Sequence, residues 1–275
     1  MDQVFEIDGY TLFTNVEGKG RPVLLLHSYW GSHILFDHLA TSLRVKMKII
    51  RIDLPGHGKS GVPPLNYTFE KFAVVLNKLL IKLDIRDQVS IIGHSMGGYL
   101  AMAFASSYPE KVASLVLMHS PAKAADNQSI KLREREYRLL QKGKKDLLLQ
   151  VTIPSNFASQ NLDSMKNEIS MLFQTSRQVT LEGALRSIHA INHRGDSLGV
   201  LQNAKYPILI LIGKYDNVYR FDQQLTEVIK IPNADAMILN HSGHLGFLEE
   251  EDLVNDKLIA FLETVSPKNP ISLIF

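Results

Sequence analysis

Gly93-His94-Ser95-Met96-Gly97-Gly98 sets a serine between glycines at the spacing Gly-x-Ser-x-Gly. Val89-Ser90-Ile91-Ile92 before it is a β-branched run that reads as a buried strand. Tyr99-Leu100-Ala101-Met102-Ala103-Phe104-Ala105 after it reads as a buried helix. A serine at the tip of a tight strand-to-helix turn exposes its hydroxyl, the nucleophile-elbow pattern. Such a turn leaves no room for large side chains two residues before and two after the serine. Gly93 and Gly97 meet that demand, and Gly98 lets the helix approach the sheet. The competing reading is an ordinary glycine-containing loop, which the flanking strand and helix disfavour. A serine hydroxyl is a poor nucleophile alone. It needs a base, and the base needs an acid that orients it.

Those groups must be carried on a scaffold. Val23 to His27, Met47 to Asp53, Val89 to Ile92 and Val112 to Met118 are short apolar runs read as strands. Amphipathic segments near 34–43, 68–83 and 98–107 lie between them. Strands this apolar are buried on both faces, which predicts a parallel sheet sandwiched between helices. Phe5 to Ile7 and Thr11 to Asn15, joined by Asp8-Gly9, predict an antiparallel hairpin leading in. The pattern changes after Met118. Residues 121–200 are polar and helix-favouring, with Lys131 to Leu149, Lys166 to Phe173 and Leu181 to Ile191 as helical stretches. Strands resume at Pro207 to Ile212 and Ala236 to Leu239. The expected division is a core over 1–120 and 201–275, with 121–200 inserted as a helical cap over the sheet's carboxyl edge.

Asp216 follows the strand ending at Ile212, and His244 follows the strand ending at Leu239. Both therefore fall on loops at the same edge as Ser95, where open parallel sheets bind ligands. Gly93 to Gly98, Asp53-Leu54-Pro55-Gly56-His57-Gly58-Lys59-Ser60, Gly213 to Asp216, and Gly243-His244 with Glu249 together carry a resemblance. The chain resembles an α/β-hydrolase of the esterase, lipase and C–C hydrolase type over essentially its whole length. The resemblance implies an α/β-hydrolase fold, with a mostly parallel central sheet, flanking helices and a helical cap. It implies Ser95 as nucleophile, His244 as general base and then acid, and Asp216 as the group that fixes the imidazole tautomer. The family's second oxyanion donor comes from a His-Gly-x loop. Here that loop reads His27-Ser28-Tyr29-Trp30-Gly31, with Ser28 where the glycine is usual. The donor is a backbone N–H, so the hole is assigned to the amides of Tyr29 and Met96, and Ser28 and Trp30 are candidate substrate contacts.

Other groups have blander readings. His94 is expected to be structural, because the elbow turns neighbouring side chains away from the serine. His27 is expected to brace the oxyanion loop. His241 reads as a surface group, and His189 and His193 as positions on the outside of the cap. His119 and Asp126 follow the Met118 strand, where some hydrolases place their acid, so Asp126 is the alternative to Asp216. Gly58-Lys59-Ser60 resembles the end of a P-loop, but that motif needs a glycine where Asp53 stands. Lys142, Lys144 and Lys145 read as a solvated helix face. Phe157, Met165, Met171 and Phe173 are more readily packing than ligand contacts. No cluster has metal-ligand spacing.

The bulk numbers set the outer limits. The chain has 275 residues, 45% hydrophobic and 21% charged, enough for one large α/β domain with a sizeable core. A net charge of +2 gives no footing for a nucleic-acid partner. With no cysteine, disulfides and thiol catalysis are excluded. Met1 to Glu6 carries no basic segment leading into an apolar one, and no run reaches the ~20 residues of a membrane span, so a cytoplasmic protein is expected. The expected activity is hydrolysis of a small carboxylic ester, without a cofactor. Two alternatives remain open at this point. One is a C–C bond hydrolase of a vinylogous diketone acid, which would want a cationic cap residue such as Arg186 or Arg194. The other is a ligand receptor or regulator with slow or no turnover. The apolar tail Ile271 to Phe275 would pack on the domain or on a second copy in a homodimer.

Overall fold

The computed structural model describes residues 1–265. The tail Ile271 to Phe275 lies outside the described residues. Strands β1 (Asp2–Ile7), β2 (Tyr10–Glu17) and β3 (Arg21–Leu26) are followed by helix α1 (Asp37–Leu43) and β4 (Met47–Ile52). Helix α2 (Phe69–Lys82), β5 (Val89–His94), α3 (Met96–Ser107) and β6 (Val112–Met118) complete the first part. Then come α4 (Asn127–Gln141), α5 (Lys145–Ser155), α6 (Lys166–Arg177), α7 (Leu181–Asn192) and α8 (Leu198–Gln202). The chain ends in β7 (Ile208–Gly213), α9 (Phe221–Val228), β8 (Ala234–Leu239), α10 (Gly246–Glu249) and α11 (Glu251–Thr264).

The eight strands form one sheet in the order β1-β2-β4-β3-β5-β6-β7-β8. From β4 through β8 every neighbouring pair is parallel. The hairpin β1–β2 is antiparallel, as its Asp8-Gly9 turn predicts, with both turn residues at positive φ (50° and 79°). The interior strands β5 and β7 are buried at every position because helices cover both faces. Each fully buried Leu or Ile there contributes about 1.5–3 kcal/mol relative to exposure. β8 is a half-exposed edge, which is why its apolar signal is weak.

Two details differ from the sequence reading. Lys131 to Leu149 is not one helix. Gly143 adopts φ 69°, a left-handed conformation that ends α4, and α5 starts afresh at Lys145. The short α8, not anticipated, lies against α3. The helices between β6 and β7 are tied to the rest at close backbone contacts. Gly56 (φ 82°) and Gly183 meet so closely that a Cβ on either would fall within 2.6 Å of the other's backbone. No helix among the described residues is long and apolar enough to cross a membrane.

Candidate active site

The elbow is real and strained. Ser95 has φ 51° and ψ −113°, a conformation costing on the order of 1–3 kcal/mol for a side-chain-bearing residue. Packing holds it there. Ser95 N–H donates to the Met118 carbonyl (2.9 Å), and Gly98 N–H donates to the Ser95 carbonyl (2.9 Å). The three glycines are required by contact. A Cβ on Gly97 would sit 2.0 Å from the Leu26 carbonyl oxygen, and one on Gly93 2.6 Å from the Gly97 oxygen. A Cβ on Gly98 would sit 2.2 Å from Ser120 Oγ. Helix α3 can therefore press against the ends of β3 and β5 only with this sequence.

Asp216 and His244 meet on the neighbouring loops. Asp216 folds back as an Asx turn, its Oδ1 accepting from Val218 N–H (2.8 Å) and Tyr219 N–H (2.9 Å). Its Oδ2 accepts from His244 Nδ1 at 2.9 Å and from His119 Nδ1 at 3.3 Å. An ionised carboxylate only accepts, so the proton of His244 lies on Nδ1, leaving Nε2 as the lone pair. Burial alone would make the Asp216 carboxyl a weaker acid, but the charge of His244 and the hydrogen bonds from both imidazoles outweigh it. The carboxyl is held well below its usual range.

The His244 loop is fixed independently. His244 N–H donates to the Asn156 carbonyl (2.7 Å), and Glu249 accepts from Gly243 N–H (2.8 Å), Ala158 N–H (2.8 Å) and Asn161 Nδ2 (2.7 Å). Gly213 and Gly243 cross with no room for a Cβ, which would fall 2.0 Å from the Gly243 oxygen. His94 Nε2 donates to the His244 carbonyl at 2.8 Å. His94 thus joins the Ser95 turn to the His244 loop. No hydrogen bond among the described residues links the Ser95 hydroxyl to the His244 ring. In unliganded sites such bonds are often long and tighten on substrate binding.

The loop after β3 runs beside the elbow. His27 Nε2 accepts from Leu54 N–H (2.8 Å) and Nδ1 donates to the Ser28 carbonyl (2.8 Å), so the ring braces this loop as expected. Among the described residues, the N–H groups of Tyr29 and Met96 donate to no other backbone or side-chain group. Ser28 is buried, and Trp30 adopts φ 67° with its ring 4.5 Å from that of Tyr29. Trp30 is held from α4 and α6: its indole donates to Glu136 (3.2 Å), and its carbonyl accepts from Ser176 Oγ (2.8 Å). Burial pushes the Glu136 carboxyl up to about 7, although Trp30 and Arg133 pull the other way.

The remaining candidates fall elsewhere. Asp126 is exposed and caps α4 through Ser129 N–H (2.7 Å), far in role from an active-site acid. Asp53 is buried as the hub of the turn after β4, accepting from His33 N–H, the His33 ring and Lys59 N–H. Lys145 donates to the carbonyls of Arg177 and Val179 at the end of α6. His189 and His193 are exposed and stacked at 4.1 Å, and His241 is exposed. Phe157 is core, with Met165, Met171 and Phe173 packed against the same cluster. A cavity of about 350 Å³ lies between the segment after β6 and helix α9, lined by Lys123, Asp126, Arg194, Tyr219, Gln224 and Glu227, and not by Ser95, Asp216 or His244. Sequence reasoning missed the engagement of His119 with Asp216 and of Glu136 with Trp30. For His119 the available signal was its position, directly after a strand at the carboxyl edge.

His119, Asp216 and His244 offer ligand atoms within 4.8 Å of one another, the spacing a metal ion could use. The hydrogen bonds argue otherwise. Gly246 N–H donates to His119 Nε2 (3.3 Å), so the proton of that ring belongs on Nδ1, pointing at the carboxylate.

Residues 21–251 match the family described as alpha/beta hydrolase fold, and the chain belongs to that family. It is 31% identical to a 2-hydroxy-6-oxononadienedioate/2-hydroxy-6-oxononatrienedioate hydrolase of Paraburkholderia phymatum, over 90% of this chain and 89% of that protein. Its fold superposes on a thermophilic esterase from Thermogutta terrifontis with a TM-score of 0.91 at 25% identity, covering 96% of this chain and 100% of that one. It superposes on the enol-lactonase of Burkholderia xenovorans with a TM-score of 0.87 at 20% identity, covering 95% and 100%.

Proposed function

We propose that this chain is a serine hydrolase acting on a small carboxylic ester. The observation that carries the reading is Ser95 at φ 51°, next to the His94 that bonds the His244 carbonyl at 2.8 Å, together with an Asp216–His244 pair joined at 2.9 Å. Ser95 Oγ attacks the ester carbonyl while His244 Nε2 takes its proton, and the imidazolium formed is held by Asp216. The N–H groups of Tyr29 and Met96 receive the developing oxyanion, each such donor being worth roughly 3–4 kcal/mol. His244 then protonates the leaving alcohol. Water, deprotonated by the same ring, releases the acid and restores Ser95. Residues 121–200 act as a cap, and Ser28 and Trp30 shape the site below it.

A second reading is cleavage of a C–C bond in a vinylogous diketone acid by the same residues. It is favoured by the relative at 31% identity and by Arg194. That guanidinium lies 4.0 Å over the Tyr99 ring, donates to the carbonyls of Ile191 and Lys123, and lines the cavity between the segment after β6 and α9. No carboxylate among the described residues pairs with it, so it is available to a substrate carboxylate.

Turnover of 4-nitrophenyl esters of graded acyl length, run beside a dienoic diketone acid, tests the reading. Short-ester turnover that Ser95→Ala abolishes supports it. Unchanged turnover in Ser95→Ala contradicts it, and exclusive cleavage of the diketone acid transfers support to the second reading.

A further inference from the structure

His119 is fully buried, carries a strained backbone (φ 51°), and has no part in the scheme above. We propose that His119 is a positioning residue: its Nδ1–H shares Asp216 Oδ2 with His244, and this sharing sets the pH range over which the base works. The inference rests on the reading of Ser95, Asp216 and His244 as one catalytic set.

The geometry defines the tautomer. Gly246 N–H is a donor only, and it points at His119 Nε2 from 3.3 Å. Nε2 must accept, so Nδ1 carries the proton and donates to Oδ2 at 3.3 Å. The approach depends on a missing side chain. A Cβ on Gly246 would lie 2.9 Å from His119 Nε2. The backbone is placed by the sheet, with His119 N–H donating to the Leu211 carbonyl (3.0 Å), and positive φ then carries the chain on to Ser120. Histidine is among the residues that adopt this conformation more readily. With Nε2 occupied by Gly246, His119 cannot serve as an alternative base.

The electrostatics make this partner a neutral one. Burial keeps the His119 ring uncharged below its ordinary range, although Asp216 pulls the other way. Groups facing the pair from the surrounding elements are His94 at the end of β5, Tyr219 on the loop after β7, Gln224 on α9 and Glu249 on α10. His94 is also held neutral by burial. Glu249 accepts from the Gly243, Ala158 and Asn161 donors and, among the described residues, hydrogen-bonds neither imidazole. Asp216 is therefore the carboxylate in direct hydrogen-bond contact with His244, and His119 draws part of its charge away. Without that donor Oδ2 would bind an imidazolium more strongly, and the base would be lost to protonation at higher pH.

His119→Ala and His119→Asn test this. Asparagine puts an N–H donor near the Nδ1 position and tolerates positive φ; alanine removes the donor. The readouts are the pH profile of kcat/KM for a short 4-nitrophenyl ester and the pH dependence of Ser95 phosphonylation by a small fluorophosphonate. His119→Ala should move the acid limb up by roughly half to one pH unit, the scale of one hydrogen bond, and His119→Asn should restore most of it. A uniform loss at every pH, or equal shifts in both variants, overturns the inference and leaves a merely structural residue. A wild-type protein that takes no label at Ser95 overturns the catalytic reading and the inference with it.

Discussion

His94 Nε2 donates to the backbone carbonyl of His244 at 2.8 Å, so the residue before Ser95 holds the loop that carries His244. His94 and His244 are 150 positions apart in the chain, and this bond joins them directly. The His94 ring also packs 4.9 Å from Phe247 and 5.0 Å from the His244 ring.

His94→Leu should therefore impair activity more than fold. The His244 carbonyl would be left buried without its donor, a loss of about 1–3 kcal/mol in unfolding free energy. The loop would also lose its register against the elbow. Denaturant unfolding together with ester turnover checks this: a modest stability loss with a drop in kcat of more than about tenfold is expected. Unaltered kcat would mean that the Glu249 contacts hold the loop alone.

Asp216→Asn should retain the fold and lower kcat by roughly 10⁴, because the amide no longer imposes the Nδ1–H tautomer on His244. The same variant carries a stability signature. The folded carboxyl sits below its ordinary value of 3.8, so ionised Asp216 stabilises the protein above that pH, and the contribution is lost as pH falls through the folded-state range. Acid unfolding curves should thus fall less steeply for Asp216→Asn than for the wild type.

Much of the candidate site was legible because each residue proposed for it sits next to a local signal. Gly93 and Gly97 mark the serine turn, and β7 and β8 mark the loops of Asp216 and His244. Asp126 reads as an acid only by chain position, and its role as a helix cap follows from a hydrogen bond three residues on. His119 and Glu136 carry no local pattern. Their partners, Asp216 and Trp30, lie 97 and 106 residues away, and only the folded sheet and helices bring them into contact. The split of Lys131 to Leu149 was carried by a single residue, Gly143, whose φ of 69° outweighs the helical propensity around it.

Glu136 gives a pH-dependent prediction. Its folded value is raised from 4.5 to about 7, so the folded protein keeps this proton after the unfolded chain has lost it. The stability contributed by this one group is greatest below about pH 4.5 and declines as pH rises toward about 7. Glu136→Gln keeps an acceptor for the Trp30 indole and removes the ionisation. It should be more stable than wild type above neutrality, by about 1–3 kcal/mol, with little difference in mild acid. Urea midpoints at about pH 5 and about pH 8 check the sign, and a gain of equal size at both would contradict it.

The most direct test of the central claim is intact-mass spectrometry after exposure to a small fluorophosphonate, for wild type, Ser95→Ala and His244→Ala. An activated Ser95 gives one adduct on the wild type, none on Ser95→Ala, and a labelling rate on His244→Ala lower by at least about 10³. An unlabelled wild type, or an adduct that persists in Ser95→Ala, would contradict the account.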